Sequence, residues 1–157
     1  MNWQELCQNS NLRNLPFKIE SDATGKLIMS PVKVYHSAYQ GAIGALLDRL
    51  LGKIVLMECA IKTPQGTKVA DVAWASPQRF NYIKQEIECP IAPEICIEVV
   101  SDSNTEEEMA KKRQLYFEQG ALEVWICSQQ GQIHFYNAEG QLEKSILAAM
   151  FPNSIEL

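Results

Sequence analysis

The sequence predicts an α/β fold (α+β in the strict sense), a mixed β-sheet core flanked by helices, and three observations carry that expectation. Glu94–Ser101 sets Ile95, Ile97 and Val99 on one face against Cys96, Glu98 and Val100 on the other, the pattern of a central strand covered on both sides. Two stretches, about Ser37–Leu51 and Asn104–Gln119, carry apolar residues at helical spacing. Other strand candidates stand before, between and after these helices, so the order of elements is mixed.

Taken in order, residues 2–9 read as a short helix with Trp3, Leu6 and Cys7 on one side. Phe17–Glu20 and Lys26–Met29 read as two short strands around Asp22-Ala23-Thr24-Gly25, a turn sequence, and Pro31 ends the hairpin. The first long helix follows from Tyr39, Ala42, Ile43, Leu46, Leu47 and Leu50, with Gly52 in the C-cap position. Ile54–Ile61 and Lys68–Ala75 are strands around the turn Thr63-Pro64-Gln65-Gly66, and residues 76–92 read as irregular. The second long helix opens with Ser103 and Glu106 as a capping box, carries Glu106-Glu107-Glu108 in its first turn, and closes at Gly120. Ala121–Ser128 and Gln132–Tyr136 form strands around Gln129-Gln130-Gly131. Exposed apolar surface on this Trp125–Tyr136 hairpin points to a homo-oligomer, a dimer.

The 157 residues are enough for one core. With 46% hydrophobic and 21% charged residues the chain is an ordinary globular one. No apolar run approaches the roughly 20 residues a bilayer requires, and the first residues lack the basic and apolar regions of an export signal. A soluble, cytoplasmic protein with no membrane segment is expected. Cys7, Cys59, Cys89, Cys96 and Cys127 form no CxxC and no metal-ligand spacing, so they read as buried small hydrophobes in a reducing compartment, without zinc. The net charge of −5 and pI near 5.1 argue against tight non-specific DNA binding. They leave room for a site that recruits cations and meets a phosphodiester transiently.

Glu98 is the first chemical anomaly. A lone carboxylate in a strand buried on both faces costs several kcal/mol, against a total stability of roughly 5–15 kcal/mol. It needs a basic side chain, a metal or a proton, unless it lies near the strand end and meets water. Lys112 is the second: with Met109 and Tyr116 it lies on one stripe of the helix that directly follows the Glu98 strand. It either reaches toward the end of that strand, snorkels, or pairs with Glu108 at i, i+4. Asp71 is a short carboxylate within Val69-Ala70-Asp71-Val72-Ala73-Trp74 and says little alone. Two carboxylates on neighbouring strands plus a lysine suit phosphodiester hydrolysis. Carboxylate oxygens hold Mg²⁺ or Mn²⁺, and a lysine orients water or stabilises developing charge.

Ala70-Asp71, Glu98-Val99-Val100-Ser101, Lys112, Tyr116, Gly120 and Glu123-Val124-Trp125, with Gly25-Lys26-Leu27, Met29-Ser30-Pro31 and His36 upstream, resemble the Uma-two family of putative restriction endonucleases. That family belongs to the PD-(D/E)XK nuclease-like superfamily. The resemblance covers most of residues 17–136 and implies a single restriction-endonuclease-like domain over 1–157, with a divalent metal, Mg²⁺ or Mn²⁺, at Asp71 and Glu98. Asp71 takes the place of the family's aspartate, Glu98 that of its glutamate, and Lys112 that of its helix lysine, fourteen positions on; these three are the expected catalytic residues. Three departures stand out. Ala70 replaces the usual proline, Val100 occupies the lysine position of a standard ExK motif, and Asp102 stands where a proline often follows the serine. His36 matches a family position and serves either helix entry and packing or the site. Glu20 and Glu58 are strand-edge charges or extra metal ligands, and Lys18 can equally take the aligned place of Glu20. His134 reads as a surface residue, and Ser101 as a loop-organising hydroxyl without a neighbouring base.

Two functions compete: a Mg²⁺-dependent endonuclease-type phosphodiesterase acting on DNA, and a catalytically weak homo-oligomeric binding or scaffold protein that keeps the nuclease fold. The acidic pI and the missing in-line lysine favour the second. The three retained site residue types favour the first.

Overall fold

The computed structural model describes residues 1–52 and 54–157. Its elements are α1 (Trp3–Gln8), β1 (Phe17–Ser21), β2 (Leu27–Pro31), α2 (Val34–Leu51), β3 (Val55–Thr63), β4 (Gly66–Trp74), α3 (Pro77–Ile83), β5 (Ile95–Val99), α4 (Glu106–Glu118), β6 (Glu123–Cys127), β7 (Ile133–Asn137) and β8 (Gly140–Leu142). Strands β3 to β8 form one sheet in chain order, while β1 and β2 pair only with each other. Within the larger sheet β5 and β6 are parallel, joined across α4, and the other neighbours are antiparallel. The sheet is therefore mixed, as expected.

Each face of the sheet buries its own core. Tyr39, Ile43 and Leu47 of α2 pack on Val72, Ile95, Ile97, Val99 and Trp125. Met109 and Tyr116 of α4 pack on the opposite face with Ala73, Cys96, Val124 and Ile126. The alternation read in β5 is thus real, and Glu98 shares the α4 side with Cys96.

Several local expectations are corrected. Helix α2 starts at Val34, a turn before the apolar spacing begins, because its first turn is exposed and carries no periodic signal. The capping box of α4 is Thr105 with Glu108, two residues beyond Ser103 and Glu106, and both of its reciprocal bonds form. Residues 76–92 are not wholly irregular. Ser76 caps α3 by accepting from the Arg79 N–H, and Pro77 supplies the first helical residue. Four cysteines are buried, but Cys7 is exposed.

The β6–β7 hairpin is not an exposed apolar surface either. Trp125, Ile133 and Phe135 are buried beneath Ala148, Phe151 and Ile155 of the C-terminal segment. Glu123 fastens that segment: its carboxylate accepts from Trp125 Nε1, Ser145 Oγ and the Ile146 and Leu147 N–H groups at 2.7–2.9 Å. The argument for a dimer from that hairpin falls away. Among the described residues no helix is long and apolar enough to cross a membrane.

The β3–β4 turn does more than reverse the chain. Gly66 has φ +90°, and a Cβ there would lie 2.4 Å from the carbonyl oxygens of Ser21 and Asp22. Gly66→Ala therefore combines left-handed strain with a backbone clash against the end of β1. A loss of more than about 2 kcal/mol is expected in urea unfolding; a change within the ±0.5 kcal/mol of ordinary surface substitutions would show that the hairpin moves freely.

Candidate active site

The site arises because β4 outruns β5. Their pairing covers only Val72–Trp74 against Ile95–Ile97, so the first half of β4 has no sheet neighbour on that side. Backbone N–H groups left there need partners, and β1 provides them through side chains. Glu20 Oε1 accepts from the Val69 N–H at 2.7 Å and Ser21 Oγ from the Thr67 N–H at 2.8 Å. Those two bonds seat β1 against β4 and carry Lys18, on the same face as Glu20, toward the end of β5.

Asp71 lies where the β4–β5 ladder stops. It is fully buried. Its Oδ2 accepts from the Val99 N–H at 2.7 Å and lies 3.3 Å from His36 Nε2, while Oδ1 accepts from Lys18 Nζ at 2.9 Å. Glu98, 2% exposed, accepts from Tyr116 OH at 2.5 Å on Oε1 and from Lys18 Nζ at 3.2 Å on Oε2. Lys112 Nζ stands 3.3 Å from Glu98 Oε1 and 2.8 Å from Glu20 Oε1. The trio expected from the sequence is therefore brought together, and the lysine does arrive from α4; Val100 is packed into the core on that side.

Of the open candidates, Glu20 joins the cluster through Lys112, and His36 joins it through Asp71 and the Val99 carbonyl, 3.0 Å from Nε2. Glu58 lies at the rim. Its backbone, at φ +53°, interrupts the β3–β4 ladder opposite Asp71, a conformation costing on the order of 1–3 kcal/mol. Gln40 fills the break by donating to the Asp71 carbonyl at 2.9 Å and to Glu58 Oε1 at 2.8 Å. His134 is exposed as expected. Ser101 organises its loop with Asn104: the backbone N–H and Oγ both donate to Asn104 Oδ1.

Sequence reasoning missed Gln40 and offered Lys18 only as an alternative at the aligned place of Glu20. Lys18 sits at the centre of the cluster, and Gln40 fixes the strand that bears Asp71. A signal existed for each: Lys18 and Glu20 alternate onto one face of a short strand, and His36 and Gln40 stand at i, i+4 on one side of α2.

Electrostatics follow from this packing. Burial alone would push Asp71 up, but Lys18 and His36 hold its carboxyl well below the usual carboxylate range. Burial likewise opposes the Lys18 charge, yet Glu98, Asp71 and Glu20 keep it far above an ordinary lysine. At Glu98 burial prevails over Lys112 and Lys18 and the carboxyl is raised. The hydrogen bond to Asp71 raises His36, against the effect of burial.

The sign of the His36 effect yields a pH prediction. A histidine raised above its ordinary 6.5 stabilises the fold fully below that value and loses the contribution as pH rises through the folded pKa. Melting temperature should therefore fall from pH 6 to 9 more steeply in wild type than in His36→Asn. Parallel profiles would mean that folding leaves the His36 pKa unchanged.

The cluster opens into a cavity of about 640 Å³ between the β1–β2 hairpin and the N-terminal half of α4, within the range of small-molecule pockets. Lys18, Lys68, Lys111 and Lys112 all line it. For a divalent ion the donor chemistry fits: Asp71 Oδ1 and Glu98 Oε2 are hard oxygen donors converging on one cation, the Lys18 ammonium. Among the described residues no three carboxylate, histidine or cysteine side chains converge on a common point. Glu20 instead meets Glu98 through Lys112.

A mixed sheet with carboxylates on two adjacent strands where their pairing stops, and a lysine from the following helix, is the arrangement of a nuclease-like fold. The same fold is found in a crystal structure titled as a putative nuclease belonging to DUF820 from Anabaena variabilis, at TM-score 0.75 and 16% identity over 98% of this chain and 94% of that one. The family model Uma2, described as putative restriction endonuclease, matches residues 3–153. The chain belongs to the Uma2 family, as its motifs led us to expect. No curated protein matches it.

Proposed function

We propose that the protein is a metal-dependent phosphodiesterase of endonuclease type acting on DNA in the cytoplasm, with Asp71, Glu98 and Lys112 as its catalytic residues. The observation that carries this reading is the convergence of those three side chains, from β4, β5 and α4, at the floor of one open cavity. Family membership supports the reaction class.

Asp71 and Glu98 would hold the ion, Mg²⁺ or Mn²⁺. When bound, it supplies Lewis acidity and neutralises charge on the phosphate. Lys112 is poised to donate to the attacking water or to a phosphoryl oxygen as charge builds there, because Glu20 and Glu98 fix its ammonium from two sides. Tyr116 orients Glu98 from below, and the Val99 N–H and His36 orient Asp71. Lys18, Lys68, Lys111 and Lys112 line the cavity together with Glu20, Glu58, Asp71, Glu98, Glu107 and Glu108, so a phosphodiester would enter a site of mixed charge in which a bound divalent ion offsets the carboxylates.

The test is nicking of supercoiled plasmid by purified protein with Mg²⁺, with Mn²⁺ and with chelator. Nicking that requires either metal is expected. A protein that binds DNA but leaves it intact in every condition would instead fit the scaffold reading.

A further inference from the structure

Lys18 stands at the point on which the Asp71 and Glu98 carboxylates converge. Its Nζ lies 2.9 Å from Asp71 Oδ1 and 3.2 Å from Glu98 Oε2, with Glu20 Oε1 at 4.0 Å. Among the described residues no other side chain touches both carboxylates: of the two, His36 reaches only Asp71, and Lys112 and Tyr116 reach only Glu98. Any ion bridging the same two oxygens would have to occupy the volume of this ammonium, since a divalent cation binds carboxylate oxygens at about 2.0–2.6 Å.

From this geometry we infer that Lys18 is a resident counter-ion of the site, which a divalent metal must displace before it can bridge Asp71 and Glu98. The inference rests on the metal-dependent reading above and adds a gate to it. Two features make the ammonium a strong competitor. It is buried, its side chain 12% exposed, so its attraction to the carboxylates is little screened. It is also held in place from outside the site, because β1 is pinned to β4 by the Glu20 and Ser21 bonds described above. Two like charges within a few ångströms repel strongly in such surroundings, so ammonium and metal exclude each other. The route out is open: the cavity that Lys18 lines gives its flexible stem room to swing toward an entering phosphate.

The experiment is a Mn²⁺ titration read by electron paramagnetic resonance, with wild type, Lys18→Met, Lys112→Met and the double variant Lys18→Met/Glu98→Gln. Lys18→Met should bind one Mn²⁺ at least about tenfold more tightly than wild type. The gain should vanish in the double variant and be much smaller in Lys112→Met, which removes the same charge away from the bridging position. Equal affinity of wild type and Lys18→Met, with binding lost in the double variant, overturns the role of Lys18 and keeps the metal site. A folded Lys18→Met that binds no Mn²⁺ overturns both. An equal gain in Lys112→Met reduces the effect to net charge and also overturns it. If Lys18→Met does not fold, the wild-type lysine Nζ resonances can be followed by NMR during Mg²⁺ titration. The Lys18 signal should shift in step with saturation; a Lys18 signal unchanged at saturation contradicts displacement.

Discussion

Asp71→Ala should cost about 3–5 kcal/mol of folding stability, the penalty for breaking a buried charge pair from one side. Three groups lose their acceptor at once. The Lys18 ammonium keeps only Glu98 within hydrogen-bonding distance, the Val99 N–H is stranded at the end of β5, and His36 is left with the Val99 carbonyl. The loss should appear in urea unfolding as a lower midpoint with an unchanged slope. It should also depend on pH. Because the Asp71 carboxyl is held below its ordinary range, its contribution is present above the unfolded value and disappears as pH falls through the folded one. The gap between wild type and variant should therefore close in strong acid. Asp71→Asn, which keeps an acceptor for the Val99 N–H, should lose less. A cost below 1 kcal/mol for Asp71→Ala would mean that water reaches the cluster freely.

Lys112→Met should lower the rate of DNA cleavage by about 10²–10³, the scale on which one preorganised donor to a developing oxyanion matters. Methionine keeps the length and the apolar stem of the side chain, and Met109 and Tyr116 still seat α4 on the sheet. Stability should change less than activity, because the Lys112 side chain is 14% exposed and Glu20 retains the Val69 N–H. The effect should fall on kcat rather than KM if Lys112 acts in the transition state. A rise in KM alone would make it a substrate-binding lysine, of the kind the cavity already offers in Lys68 and Lys111.

The sequence showed the sheet and its two helices clearly, and the site unevenly. Glu98 was legible because a carboxylate between Ile97 and Val99 violates the burial of its strand. Lys112 was legible because it shares a helix stripe with Met109 and Tyr116. Asp71 emerged only through its family motif: flanked by Ala70 and Val72, it looks like any short polar residue in a strand. Gln40 escaped, and Lys18 stood only as an alternative to Glu20, for a different reason. Both act through side-chain bonds to the backbone or carboxylates of distant strands, 53 residues away for Lys18 and Asp71, and 31 for Gln40 and Asp71. Hydrophobic periodicity reports which face of an element is buried, not which strand end its polar residues will meet. The misjudged hairpin β6–β7 follows the same logic: its apolar side could be read, but the segment that covers it is tied down by Glu123 through partners that have no periodic pattern.

The central claim is that Asp71, Glu98 and Lys112 form a phosphodiester-hydrolysing centre. It is tested most directly by a plasmid-nicking time course with wild type and Asp71→Asn, purified identically and assayed with Mg²⁺ and Mn²⁺. We predict metal-dependent nicking by wild type and at least about a 10²-fold slower rate for the folded variant. Equal rates for the two proteins would place any observed cleavage outside this site and contradict the claim.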